Sequence, residues 1–192
     1  MCKPSIPISN SPTNFWPRPV DSSTGVATSM IVLGIDPGTA RLGYGVIDYV
    51  DGTPAMIDYG VAETVPTESM PERLLQIYGN VRLLLAEHDP DVMAVEKLFF
   101  ARNVTTAIAV GQARGVVLLA AAERGIPVRE YTPSEVKQSI VGYGKAEKSQ
   151  IQEMVRIILG LDQIPRPDDA ADALAIAVCD AHMTSGYGAY ST

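Results

Sequence analysis

Residues 31–63 read IVLGIDPGTARLGYGVIDYVDGTPAMIDYGVAE. Ile31–Asp36 is a short apolar run that ends in Asp-Pro-Gly, the pattern of a strand followed by a turn. Gly43–Tyr49 and Ala55–Glu63 read as two further strands, joined at Asp51-Gly52, a hairpin signal. Beyond the hairpin the pattern changes to alternating helices and strands. Pro71 to Glu87 carries Leu74, Leu75, Ile77, Tyr78, Val81, Leu84 and Leu85 at helical spacing. Val92–Glu96 and Val128–Tyr131 are short apolar strands, with an Ala/Gly-rich helix from Thr105 to Arg124 between them. Helical patterns follow at Ser134–Ile140, Lys148–Leu159 and Asp169–His182. A hairpin feeding alternating helices and strands predicts an α/β domain, a mixed five-stranded sheet flanked by helices.

The ends of the chain read differently. Pro, Ser, Thr, Asn and Gly fill 17 of residues 1–29, including five of the 14 prolines, which predicts a flexible N-terminal tail. Met30 stands directly before the first strand, so a natural start at that methionine is an expectation. Residues 30–184 are expected to form one domain, and 185–192 a C-terminal tail. No apolar run reaches the roughly 20 residues of a membrane helix. The two cysteines, Cys2 and Cys179, lie at opposite ends, so a disulfide framework is excluded and a reducing, cytoplasmic setting is expected.

A formal net charge of −7 argues, as a total, against nucleic acid. The total hides a split. Residues 36–96 hold three basic and eleven acidic side chains, and residues 157–192 one arginine against five aspartates. Between them, residues 97–156 hold nine basic and five acidic side chains, a candidate phosphate-contacting stretch.

Asp36 and Glu96 each close an apolar strand, and the carboxyl ends of strands in α/β sheets border the ligand crevice. Singly, Asp36 also fits a turn and Glu96 a solvated strand end. Asp168, Asp169 and Asp172 open the last helix. Asp168 suits the cap, whereas Asp169 and Asp172, three apart, share one face. Alanines at 170, 171 and 173 keep that helix slim enough to approach the sheet. If Asp36, Glu96, Asp169 and Asp172 converge, they cannot all stay ionised without added positive charge. Hard oxygen ligands of this kind suit Mg²⁺ or Mn²⁺, and two such ions about 4 Å apart form a clamp for phosphoryl transfer. His88 and His182 are isolated and expected at solvated positions. Neither a Ser-His-Asp order nor a Walker A loop is present.

Five blocks share one resemblance. Gly34-Ile-Asp-Pro-Gly-Thr-Ala-Arg-Leu-Gly-Tyr-Gly45, Val95-Glu96-Lys-Leu-Phe-Phe-Ala-Arg-Asn103 and Gly111-Gln-Ala-Arg-Gly115 resemble segments of RuvC-type Holliday junction resolvases. Val136-Lys-Gln-Ser-Ile-Val-Gly-Tyr-Gly144 with Ala146-Glu-Lys-Ser-Gln150, and Asp169-Ala-Ala-Asp-Ala-Leu-Ala-Ile-Ala177, complete the match in order. The resemblance implies a ribonuclease H-like fold and a homodimer. It also implies a metal-dependent endonuclease that resolves four-way DNA junctions by symmetric paired nicks in recombination and repair. It places the catalytic, metal-binding acids at Asp36, Glu96, Asp169 and Asp172, with two Mg²⁺ per subunit and Mn²⁺ as a substitute. A branch-migration helicase complex is implied as a partner.

The resemblance also assigns Lys137 and Lys148 to phosphates, with Lys145, Arg102 and Arg114 as weaker DNA contacts. It assigns Phe99 to stacking on an unpaired junction base, which leaves Phe100 for packing. Small residues along 105–124 suit a subunit partner or the chain's own sheet equally. Gly-Ile-Asp-x-Gly also opens actin-like and sugar-kinase ATPases, but those need two lobes, for which the 163 residues from Met30 are too few. The remaining alternatives are an inactive junction-binding scaffold and a shorter branch of ribonuclease H-like nucleases.

Overall fold

The computed structural model describes residues 29–97 and 104–188. In chain order these form β1 (Ser29–Asp36), β2 (Arg41–Val50), β3 (Thr53–Glu63), α1 (Met70–His88), β4 (Val92–Glu96), α2 (Val104–Glu123), β5 (Val128–Tyr131), α3 (Pro133–Val141), α4 (Lys148–Ile158) and α5 (Asp168–Gly188). The sheet order is β3-β2-β1-β4-β5. The pairs β1–β2 and β2–β3 are antiparallel. The pairs β1–β4 and β4–β5 are parallel. The mixed sheet expected from the sequence is therefore present.

Local chemistry explains the element ends. Asp51 (φ 48°) and Gly52 (φ 88°) both take the left-handed conformation of a two-residue type I′ turn. That turn pairs Val50 with Thr53 and sets the register as far as Ile47–Met56; a bulge-like shift of one residue follows before the ladder runs out to Arg41–Glu63. Strands β2 and β3 consequently start earlier than their apolar patterns suggest. Helix α3 opens on a capping box: the Thr132 hydroxyl accepts from the Glu135 N–H, and the Glu135 carboxylate accepts from the Thr132 N–H. Helix α5 continues through Gly188, past the expected start of a C-terminal tail.

Alternation along the strands sorts the core into two layers. Leu33, Ile35, Met93 and Val95 face α1 and α2 with Ile77, Val81, Leu85 and Val117. Val32, Val92 and Ala94 face α3, α4 and α5 with Val136, Val155 and Leu174. Side chains alternate with a period of two, so Asp36 and Glu96 share the α5 face with Val32, Val92 and Ala94. Helix α5 lies very close to that face. A Cβ on Gly34 would come 2.1 Å from the Ala173 carbonyl oxygen, and one on Gly43 would come 2.1 Å from that of Asp169. Two strand glycines and a run of alanines thus set the height of α5 over the sheet.

The other end of α5 is fixed by polar contacts. Asp180 is fully buried. It accepts hydrogen bonds from the Tyr131 hydroxyl (2.8 Å) and from Arg129 Nη1 (3.0 Å), and Arg129 also reaches the Thr184 hydroxyl. A buried carboxylate paired in this way ties α5 to the edge strand β5.

Candidate active site

The register Ile35–Val95 sets the ends of β1 and β4 side by side, which brings Asp36 next to Glu96. A cavity of about 220 Å³ opens there, lined by Asp36, Glu96, Lys137, Lys148, Ile151 and Asp172 among others. Asp172 reaches it from the first turns of α5, Lys137 from α3 and Lys148 from the start of α4. Asp169 sits at the rim, half-buried, on the adjoining surface lined by Arg41, Lys148 and Arg166. Three of the four expected acids line one cavity, and the fourth is its neighbour.

Electrostatics shows how closely the acids are coupled. Burial, then repulsion from Glu96, Asp172 and Asp169, raises the Asp36 pKa to about 7, against the opposing pull of Lys148. Glu96 is also raised, by burial and by Asp172, with Lys137 acting the other way. The Lys148 ammonium donates to Asp172 at 2.8 Å and lies 3.5 Å from Asp168. Burial works against its charge, but these contacts hold its pKa above the ordinary lysine value. Arg41 Nε lies 3.4 Å from Asp169. The acids therefore stand among basic side chains. Among the described residues, no three acidic, histidine or cysteine side chains already surround a common point.

The remaining expected residues divide clearly. Lys137 donates to the Ala146 carbonyl oxygen at 3.0 Å, which ties α3 to the segment before α4 and holds its ammonium beside the acids. Lys145 is exposed in that same segment. Phe99, Phe100 and Arg102 lie outside the described residues. Arg114 is not a free cation for DNA. Its Nε donates to the Glu96 carbonyl oxygen at 3.3 Å and its Nη2 pairs with Glu130. Asp168 is the first residue of α5 and not its cap, because the Ala170 and Ala171 N–H groups donate to the Pro167 carbonyl. Its carboxylate pairs with Arg166 instead. His88 is also not solvated. It closes α1 with Nε2 3.4 Å from Asp58 and its side chain largely buried. His182, equally expected in solvent, is half-buried and contacts Ser139. Strand glycines Gly34 and Gly43 bring Asp169 and Asp172 to the sheet. Their sequence signal was glycine inside a strand pattern, which marks close backbone approach.

Comparison with known proteins identifies the family. A family model described as Crossover junction endodeoxyribonuclease RuvC matches residues 32–180. A crossover junction endodeoxyribonuclease RuvC from Desulfitobacterium hafniense is 58% identical over 156 residues, 81% of this chain and 94% of the relative. One from Chloroflexus aurantiacus is 57% identical over 153 residues, 80% of this chain and 93% of the relative. The structure of Thermus thermophilus RuvC superposes with a TM-score of 0.76 at 41% identity, covering 82% of this chain and 97% of that one. The same protein in complex with Holliday junction substrate gives a TM-score of 0.78 at 43% identity, covering 82% and 96%. The sheet and its flanking helices are those of the ribonuclease H-like resolvases. The family model spans β1 to α5, including every described acid of the cavity, so the chain belongs to the RuvC family of crossover junction endodeoxyribonucleases.

Proposed function

We propose that this chain hydrolyses phosphodiesters in four-way DNA junctions, and that Asp36, Glu96, Asp169 and Asp172 form its catalytic set. One observation carries the reading: half-buried Asp36 and Glu96 end adjacent parallel strands, and Asp172 from α5 lines the same cavity. The donor set fits hard divalent cations. All four groups are carboxylates, and burial followed by repulsion from Glu96, Asp172 and Asp169 raises the Asp36 pKa to about 7, a penalty that a bound cation would relieve. Two Mg²⁺, with Mn²⁺ as substitute, would be held by these four residues and would supply water activation and stabilisation of the leaving oxygen.

The chain's own groups do the rest. Asp36 and Glu96 are fixed by the strand ends, so their orientation does not depend on a mobile loop. Asp169 and Asp172 are carried by a helix that glycine and alanine packing holds in place. Lys148, which donates to Asp172, would be free for a phosphate oxygen if a cation neutralised that carboxylate, and Lys137 lines the same cavity from α3. Lys145 is exposed in the segment between α3 and α4, and Phe99 and Arg102 belong to the sequence block that begins at Val95.

A homodimer follows from the substrate. A four-way junction has two-fold pseudosymmetry, and each chain carries one site, so paired nicks need two copies. The outer face of α2 supports this assembly. Ile108 and Leu119 are exposed there, and a Cβ on Gly115 between them would meet nothing within 4 Å. A branch-migration helicase complex is the further partner, and the cytoplasm the expected setting. Among the described residues no helix is long and apolar enough to cross a membrane.

The test is a synthetic four-way junction incubated with Mg²⁺ and wild type or Asp36→Asn. Wild type is expected to nick the junction, and the variant to bind it without cutting. Undiminished cutting by the variant removes Asp36 from the site.

A further inference from the structure

The motif Gly111-Gln-Ala-Arg-Gly115 is unexplained by the cavity, because none of its residues lines it. Its arginine nevertheless reaches the strand that carries Glu96. Arg114 lies on the flank of α2 between the fully buried Ala113 and Val117, and its side chain is only 16% exposed. Instead of running out to solvent, the guanidinium spans two strands. Nε donates to the Glu96 carbonyl oxygen at 3.3 Å, and Nη2 pairs with the carboxylate of Glu130 on β5.

The Glu96 carbonyl has a particular need for that donor. The β1–β4 ladder stops at Ile35–Val95, and two residues on, Pro37 has no N–H to extend it. On the other side Lys97 N–H donates to the Tyr131 carbonyl at 2.7 Å, which closes the β4–β5 ladder. Glu96 is therefore the residue at which β4 loses one neighbour while its side chain must still point into the cavity. A charge-assisted hydrogen bond from α2 replaces the missing ladder bond. Glu130, the ladder partner of Val95 on β5, holds the guanidinium in turn.

We infer that Arg114 is a positioning residue for Glu96, and that Glu130 positions Arg114. The chain of contacts runs Glu130 to Arg114 to the Glu96 backbone, and so holds the strand end from which the Glu96 carboxylate enters the cavity. This assignment rests on the reading of Glu96 as a metal-holding acid. Loss of groups that orient a ligand lowers metal affinity about 10–100-fold. A phosphate contact would behave differently: its loss weakens DNA binding and lowers the salt dependence by about one unit.

The experiment compares wild type, Arg114→Met, Arg114→Lys and Glu130→Gln by two readouts. The first is the Mg²⁺ concentration that gives half of the metal-induced rise in melting temperature, measured on DNA-free protein. The second is junction affinity across a salt series in EDTA, where no cutting runs. Arg114→Met is expected to need about tenfold more Mg²⁺, with junction affinity and salt dependence unchanged. Arg114→Lys and Glu130→Gln should move the Mg²⁺ midpoint the same way by less. A weaker junction affinity with an unmoved Mg²⁺ midpoint overturns the assignment in favour of DNA contact. A lower melting temperature with an unmoved midpoint overturns it in favour of a purely structural role. If Arg114→Met does not fold, an unmoved midpoint in Glu130→Gln overturns it equally. A wild type that Mg²⁺ neither stabilises nor activates refutes the metal reading of Glu96 itself, and this assignment with it.

Discussion

Under the proposed function, Asp36 is the residue on which stability and activity conflict. Its folded-state pKa of about 7 lies above the ordinary 3.8, so the folded chain holds the proton more tightly than the unfolded chain does. That contribution is fully present below about pH 4 and is lost as pH rises through about 7. Metal-free wild type should therefore lose stability from about pH 4 to about pH 8. Asp36→Asn should be more stable than wild type at the upper end of that range by about 2–4 kcal/mol, as read by denaturant melts, because one pKa unit corresponds to about 1.4 kcal/mol. Equal stability of the two proteins there contradicts the burial of a strained carboxylate. Lys148 lowers the Asp36 pKa, so Lys148→Met should move the titration of Asp36 in metal-free protein upward, as read by its stability against pH. The same variant should reduce the salt dependence of junction binding by about one unit.

At this scale the placement of Asp36 and Glu96 was legible in the sequence, because alternation fixes which face a carboxylate at the end of an apolar strand shares. The role of Arg114 was not. An arginine on a helix flank reads the same whether it meets a phosphate or a backbone carbonyl, and only the distance to the end of β4 separates the two. His88 was hidden for a related reason: the helix end it occupies is covered by Asp58 of β3, a residue distant in the sequence.

Among the elements, α5 matters most, since it carries two of the four acids. Its height over the sheet is set by glycines in β1 and β2. Gly43→Ala would place a methyl group 2.1 Å from the Asp169 carbonyl oxygen, which is backbone and cannot swing aside. The helix start must shift, and a misplacement of that kind costs on the order of 100-fold in rate. Gly79→Ala is the matched control in α1, where a Cβ meets nothing within 4 Å. It should leave cutting unchanged and raise stability by about 1 kcal/mol. Equal cleavage by both variants would show that the approach of α5 is not critical. The sequence displayed the alanines of α5 and the glycines of the strands, but their facing one another follows from the sheet order. The ends of β2 and β3 were misjudged because hairpin register extends a strand beyond its apolar pattern. The short Asp51-Gly52 turn determines that register as far as Ile47–Met56, and the irregularity at Val46/Ile47 resets it beyond.

For the whole molecule, net charge is a poor guide and charge placement a good one. Asp36, Glu96 and Asp172 line one cavity with Asp169 at its rim, where divalent ions would neutralise them. Lys137 and Lys148 line it from α3 and α4, and Lys145 is exposed in the segment between those helices. Assembly is the other property at this scale. Leu119→Glu puts a charge in the exposed apolar stripe of α2 and should convert a dimer to a monomer in sedimentation. The monomer should still bind junctions and nick them singly. A monomeric wild type, or an unaffected dimer in the variant, removes α2 as the interface.

The most direct measurement is a map of cut positions on a synthetic four-way junction with each of its four strands end-labelled in turn, in Mg²⁺. Two nicks at symmetry-related positions in opposing strands are expected, with no comparable cutting of linear duplex. Equal cutting of junction and linear duplex, or ATP hydrolysis with an intact junction, would contradict a junction-resolving site built on these four acids.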